Sequence, residues 1–116
     1  MSHKNPSRIA TKRRTYAPVF AALGDQTRLS LVAQLCRGEP CSISQLTRGH
    51  GVSRQAITKH LRVLEDAGIV RSIRSGRENR FAFHPDTMMD LRAYLDFVSG
   101  QWDRALSRLQ SFVERQ

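Results

Sequence analysis

The segment from Ser42 to Gly68 constrains the fold more than any other part of this chain. Ser42 stands three residues before Gln45, the spacing at which two side chains cap each other's backbone N–H groups at a helix start. The short helix that follows carries Ile43 and Leu46, and Gly49-His50-Gly51 breaks it. Ser53 can then cap a further helix over about 53–66, in which Ile57, Leu61 and Leu64 recur at i, i+4 and i+7 as one buried stripe. Gly68 follows as the C-cap glycine. Two capped helices joined by a glycine-containing turn read as a helix-turn-helix.

The second helix of such a unit buries one stripe and offers the opposite face to a major groove. That face here holds Ser53, Arg54, Gln55, Thr58, Lys59 and Arg62, and His60 is expected with Arg62 to support phosphate contacts. These side chains supply donors and acceptors for base edges and positive charge for phosphates. The acids Glu65 and Asp66 come only at the far end. A solvated surface helix could look similar, but such helices usually mix both signs of charge.

The flanking segments extend the unit. Tyr16, Val19, Phe20 and Leu23 predict a short amphipathic helix over 15–23, and Asp25 caps a second over about 25–37 with Leu31, Val32 and Leu35 inward. After Gly68 the period changes. Residues 69–74 and 79–84 are short β-like runs joined by Ser75-Gly76-Arg77-Glu78, which predicts a hairpin with Phe81 and Phe83 on one face. Arg74, Arg77 and Arg80, with Arg71, line this hairpin against a single acid, Glu78. Arginines on a two-stranded wing can straddle the backbone or probe a minor groove.

A last helix over about 86–113 repeats apolar residues at steps of three or four: Met88, Leu91, Leu95, Val98, Trp102, Ala105 or Leu106, Leu109 and Phe112. It would span roughly 40 Å, more than so small a domain can cover. A long core helix is one reading. The nearly heptad seam favours a helix that also packs on its twin, with Gly100 able to bend it. The dimer face expected from this pattern is Tyr16, Phe20, Leu91, Leu95, Val98, Trp102, Leu106 and Leu109.

The 116 residues suggest one domain, here 15–113, preceded by a flexible basic arm over 1–14. The arm can lie along phosphates or enter a minor groove; a solvated tail fits equally well. The net charge of +9 favours a polyanionic partner, nucleic acid or an anionic membrane. No apolar run approaches the ~20 residues that span a bilayer, and no apolar core follows the basic N-terminus as in a secretory signal. Cys36 and Cys41 form no disulfide framework, so a reducing cytoplasm is expected. No phosphate-binding glycine loop, zinc-protease helix motif or Ser/His/Asp set points to an enzyme.

Three stretches resemble the ArsR/SmtB family of winged-helix repressors. Phe20-Ala-Ala-Leu-Gly-Asp-Gln-Thr-Arg28 is similar to that family's opening motif, Val52 to Val70 to its recognition-helix signature, and Gly76-Arg-Glu-Asn-Arg-Phe-Ala-Phe83 to its wing. The resemblance covers about 16–113. It implies a mainly α fold with a small hairpin, in the order α1-α2-α3-α4-β-β-α5, dimeric through the first and last helices. It also implies a homodimeric repressor that binds an inverted repeat in double-stranded promoter DNA near its own gene.

The chain departs from the metal-sensing members. Ser42, Ile43 and Ser44 stand where those carry a Cys-Val-Cys motif, and the last helix contains no histidine. The resemblance is therefore to the non-metal-sensing branch, with no metal and no cofactor expected. It leaves open a small-molecule effector of unknown identity. Two alternatives remain at this level. Cys36 and Cys41, five residues apart across Pro40, could bind a soft ion such as arsenite or form a regulatory disulfide, against the plainer reading of two packed thiols. The winged helix could also serve a protein partner, a reading that the positive charge opposes.

Overall fold

The computed structural model describes residues 16–115, so the arm predicted over 1–14 lies outside the described residues. A first helix, α1, covers 16–23. There follow α2 (Gln26–Cys36), β1 (Cys41–Ser42), α3 (Ile43–Thr47), α4 (Arg54–Asp66), β2 (Val70–Ser75), β3 (Glu78–Phe83) and α5 (Pro85–Glu114). Among the described residues, no helix is long and apolar enough to cross a membrane.

Local chemistry sets the helix ends where the sequence placed them. The Asp25 carboxylate accepts the backbone N–H of Arg28 at 3.0 Å and starts α2. At α3 the capping box is complete: Gln45 N–H donates to Ser42 Oγ at 3.2 Å, and Ser42 N–H donates to Gln45 Oε1 at 2.8 Å. Ser53 Oγ accepts the Ala56 N–H at 3.1 Å to open α4. That helix closes in a Schellman motif. Ile69 N–H reaches Leu64 O and Gly68 N–H reaches Glu65 O, both at 2.9 Å, with Gly68 at φ +79°. Ile69 and Leu64 are both fully buried, as the hydrophobic contact of that motif requires.

The sheet holds one strand that periodicity did not show. β3 is central in a three-stranded antiparallel sheet of order β1-β3-β2, with Cys41 opposite Phe81 and Ser42 opposite Arg80. Two residues are too few to display a period of two, and Ser42 had already been read as a helix cap. It serves as both. The β2–β3 hairpin pairs Val70 with Phe83 and Ser75 with Glu78. Its loop is Gly76-Arg77, and Gly76 takes φ +63°, the position where a type II′ turn requires glycine.

One core joins these elements. Leu31 and Leu35 of α2, Leu46 of α3, Ile57, Leu61 and Leu64 of α4, and Ile69, Val70 and Phe81 of the sheet are all buried. Tyr16, Val19 and Ala22 of α1 and Leu91 of α5 complete it. Tyr94 ties α1 to α5: its ring centroid lies 5.2 Å from Tyr16 and 6.2 Å from Phe20. Burial, and then the nearby Asp90 carboxylate, raise the Tyr16 phenol above its usual range. Beyond this point α5 runs unbroken through Gly100.

Two measurements check this packing. Leu61→Ala removes a fully packed side chain and is expected to cost about 2–5 kcal/mol in chemical denaturation. The Asp25 carboxyl is held below the usual carboxylate range, first by the Arg28 N–H it accepts and then by the charge of the Arg28 guanidinium. A lowered native value means that its contribution is complete above the unfolded value near pH ~3.9 and is lost as pH falls through the native one. Asp25→Ala should therefore lower Tm at pH 7 and change it progressively less as the pH falls below about 4.

Candidate nucleic-acid interface

Because Ile57, Leu61 and Leu64 face the core, α4 turns Ser53, Arg54, Gln55, Lys59 and Arg62 outward, all exposed, with Thr58 half-buried. Ser53, Arg54, Gln55, Ala56, Thr58 and Lys59 line one open hollow on the surface. No acid stands in the sequence between Ser53 and Leu64.

Several groups on this face are free to recognise a ligand. The side chains of Gln55, Lys59 and Arg62 make no hydrogen bond or ion pair with another described residue, so an amide and two cations are available. Arg54 is partly engaged, since one guanidinium nitrogen lies 3.4 Å from Ser44 Oγ on α3. Thr58 donates its hydroxyl to Arg54 O at 2.9 Å, which leaves its oxygen lone pairs and methyl group for contact. Ser53 accepts as a cap but keeps its hydroxyl proton to donate. Of the two acids at the far end, Asp66 is exposed, while Glu65 accepts the Ser72 hydroxyl at 2.8 Å and so anchors the end of α4 to β2.

The wing arginines differ among themselves. Arg77, at the hairpin tip, is exposed and makes no hydrogen bond or ion pair with another described residue. Arg74 is steadied by Gly76 O at 3.1 Å. Arg80 is paired with Glu78, with Nε and a terminal nitrogen at 2.9 and 2.8 Å from one carboxylate oxygen. Its charge is therefore locally compensated, and Arg77 and Arg71 are the freer cations of the hairpin.

His60 is placed apart from the outward face. Its Nδ1 lies 3.1 Å from an Arg28 guanidinium nitrogen and 3.8 Å from an Asp25 carboxylate oxygen. Spacing along α4 shows which residues share its outward face, but it could not show that α2 supplies a partner for this ring. The one earlier trace of that partner is Arg28, the last residue of the opening motif.

The residues expected on a dimer face fall into two groups. Tyr16 and Leu91, expected on that face, are instead buried in the core of the single chain. Phe20, Leu95, Trp102, Leu106 and Leu109 are exposed, and Val98 is half-buried. Trp102 leaves 68% of its surface uncovered, so the stripe on the distal half of α5 is not core of this chain. The sequence reading did not include Tyr94, whose ring joins the two helices.

The two cysteines are apart in environment. Cys36 is exposed at the end of α2, while Cys41 is half-buried and donates its thiol to Glu39 O at 3.4 Å. Among the described residues, no three His, Cys, Asp or Glu side chains converge as a metal site would require.

Comparison with known proteins agrees with this geometry. A model described as a helix-turn-helix domain matches residues 23–73. The chain is 33% identical over 95 residues to an HTH-type transcriptional regulator of Mycobacterium tuberculosis, an alignment spanning 82% of this chain and 85% of that protein. It is 35% identical over 77 residues to a probable mercury resistance operon repressor of Streptomyces lividans, covering 66% of this chain and 61% of the relative. Among solved structures, an ArsR-like transcriptional regulator from Rhodococcus sp. RHA1 superimposes with a TM-score of 0.73 at 35% identity, over 88% of this chain and 95% of that one. A free basic face on α4, a wing beside it and relatives of nearly the same length lead to one conclusion: the chain belongs to the ArsR family of winged helix-turn-helix transcriptional regulators.

Proposed function

We propose that the protein is a homodimeric repressor that binds an inverted-repeat operator in the promoter region of its own operon, in the cytoplasm. The observation that carries this reading is the α4 face itself: the side chains of Gln55, Lys59 and Arg62 are exposed, have no partner among the described residues and have no acid among them. Gln55, with Ser53, Arg54 and Thr58, reads base edges, while Lys59 and Arg62 hold phosphates. Arg77 at the wing tip reaches the backbone or the minor groove; Arg74 and the Glu78-paired Arg80 shape the strands behind it. His60 contributes by fixing α4 rather than by touching DNA. Repression is supported by the likeness to the Streptomyces relative, a probable mercury resistance operon repressor.

A second copy of the chain is the partner that suits the uncovered stripe. Leu95, Val98, Trp102, Leu109 and Phe112 lie at alternating steps of three, four, seven and three along α5, which keeps them on one seam. Leaving them in water is costly for a soluble protein, and covering them with a twin helix removes the cost. Phe20 continues the same apolar surface from α1, beside Tyr94. A dimer of this kind also presents two copies of α4, as an inverted repeat requires.

Two experiments test the reading. In fluorescence anisotropy with the upstream region and a scrambled duplex, Gln55→Ala should reduce discrimination between the two, by about 1–3 kcal/mol, with little change on scrambled DNA. Arg77→Ala should instead weaken both duplexes alike and flatten the salt dependence. Equal effects of both variants on scrambled DNA would contradict this division of labour. In sedimentation at micromolar concentration the wild type should be dimeric. Trp102→Glu should be monomeric with unchanged helical content, and should lose operator affinity. A monomeric wild type would remove the dimer.

A further inference from the structure

Asp25, Arg28 and His60 form a polar cluster between α2 and the middle of α4. Arg28 is half-buried, and its groups reach three elements at once. Its backbone N–H completes the Asp25 cap of α2. Its Nε donates to Ala22 O, in the last turn of α1, at 2.5 Å. A terminal nitrogen lies 3.1 Å from His60 Nδ1, on α4. A guanidinium can only donate, so Nδ1 must accept and the ring proton sits on Nε2. One rigid planar group thus fixes both the spacing between α1 and α4 and the tautomer of His60.

The position of this link gives it a consequence. Ala22 lies six residues after Tyr16 and two after Phe20, the rings that hold α1 to α5 through Tyr94. His60 lies next to Lys59 and five residues after Gln55 on the outward-facing helix. The hydrophobic stripe of α4 keeps that helix on the core, but apolar contacts are non-directional and tolerate small rotations and slides. The directional bonds at the two ends of α4 run to α3 and β2, and the Arg28–His60 bond is the one at its middle that ties it to the side of α1 and α2.

We propose that Arg28 is a positioning residue for DNA reading, holding α4 at a fixed orientation to α1 through His60 and thereby setting where Gln55 and its neighbours meet the bases. This rests on the reading of α4 as the DNA-contacting helix. Arg28 acts through His60 rather than by contact with DNA. Loss of the link therefore lowers discrimination between sequences and leaves the phosphate contacts, and so binding to any duplex, in place.

The test uses the full chain as wild type, Arg28→Met, Arg28→Lys, His60→Leu and the Arg28→Met, His60→Leu double variant. Nitrogen NMR of the histidines is recorded first and is independent of DNA. The wild type should show His60 as the Nε2–H tautomer with an accepting Nδ1, and Arg28→Met should lose that signature. Anisotropy then compares the upstream duplex with a scrambled one. Arg28→Met should lower the preference for the upstream duplex about tenfold while changing scrambled-DNA affinity by less than about twofold. His60→Leu should do the same, and the double variant should be no worse than either single one. Arg28→Lys keeps the charge but lacks the planar fork for two acceptors, so it should fall with Arg28→Met. Should Arg28→Met prove unstable by circular dichroism, His60→Leu alone carries the comparison. Full preference in these variants, additive losses, or equal weakening on both duplexes would each overturn the proposal. A wild type with no preference would instead sink the DNA-reading assignment, and that is seen before any variant is compared.

Discussion

Complete burial of one stripe of α4 is the constraint on which the other features depend. Ile57, Leu61 and Leu64 pack among Leu31, Leu46, Ile69 and Val70 and leave essentially no surface to water. Because the helix repeats every 3.6 residues, fixing that stripe inward fixes Gln55, Lys59 and Arg62 outward. The capping box of α3, the Ser53 cap and the Schellman closure at Gly68 then define where the helix starts and stops. Without those ends, the same apolar stripe could bury a helix of a different length and offer a different face.

Charge is distributed so that the outward face stays cationic. Three acids near it are engaged elsewhere: Asp25 caps α2, Glu65 accepts Ser72, and Glu78 pairs with Arg80. The surface pair Glu78–Arg80 adds little to stability, as exposed ion pairs generally do. Its effect is to separate a compensated arginine from the free Arg77 at the tip. Long-range attraction to a polyanion then comes from α4 and the hairpin tip together, on a chain whose net charge is +9.

Much of this was legible in the sequence because it rests on local rules. Ser42 with Gln45, Ser53, Asp25 and Gly68 act within three or four residues of themselves, so their spacing announces their caps. The stripe of α4 and the hairpin turn at Gly76 were readable for the same reason. What escaped depends on partners distant in the chain. β1 exists because Cys41 and Ser42 meet Phe81 and Arg80, some forty residues later. The Arg28–His60 bond spans 32 residues. Tyr94 stands off the heptad positions and is defined by the rings of α1. Periodicity likewise marked Leu91 and Trp102 as one stripe. Only the packing shows that Leu91 is spent within the chain while Trp102 remains open.

The central claim is that α4 and the wing read a particular DNA sequence. The most direct measurement is the affinity of the purified protein for its own upstream region and for a scrambled duplex across a salt series. The account predicts tight binding that weakens steeply as salt rises, with the upstream duplex preferred throughout. Equal affinity for both duplexes at every salt concentration, or binding to either that ignores salt, would contradict it.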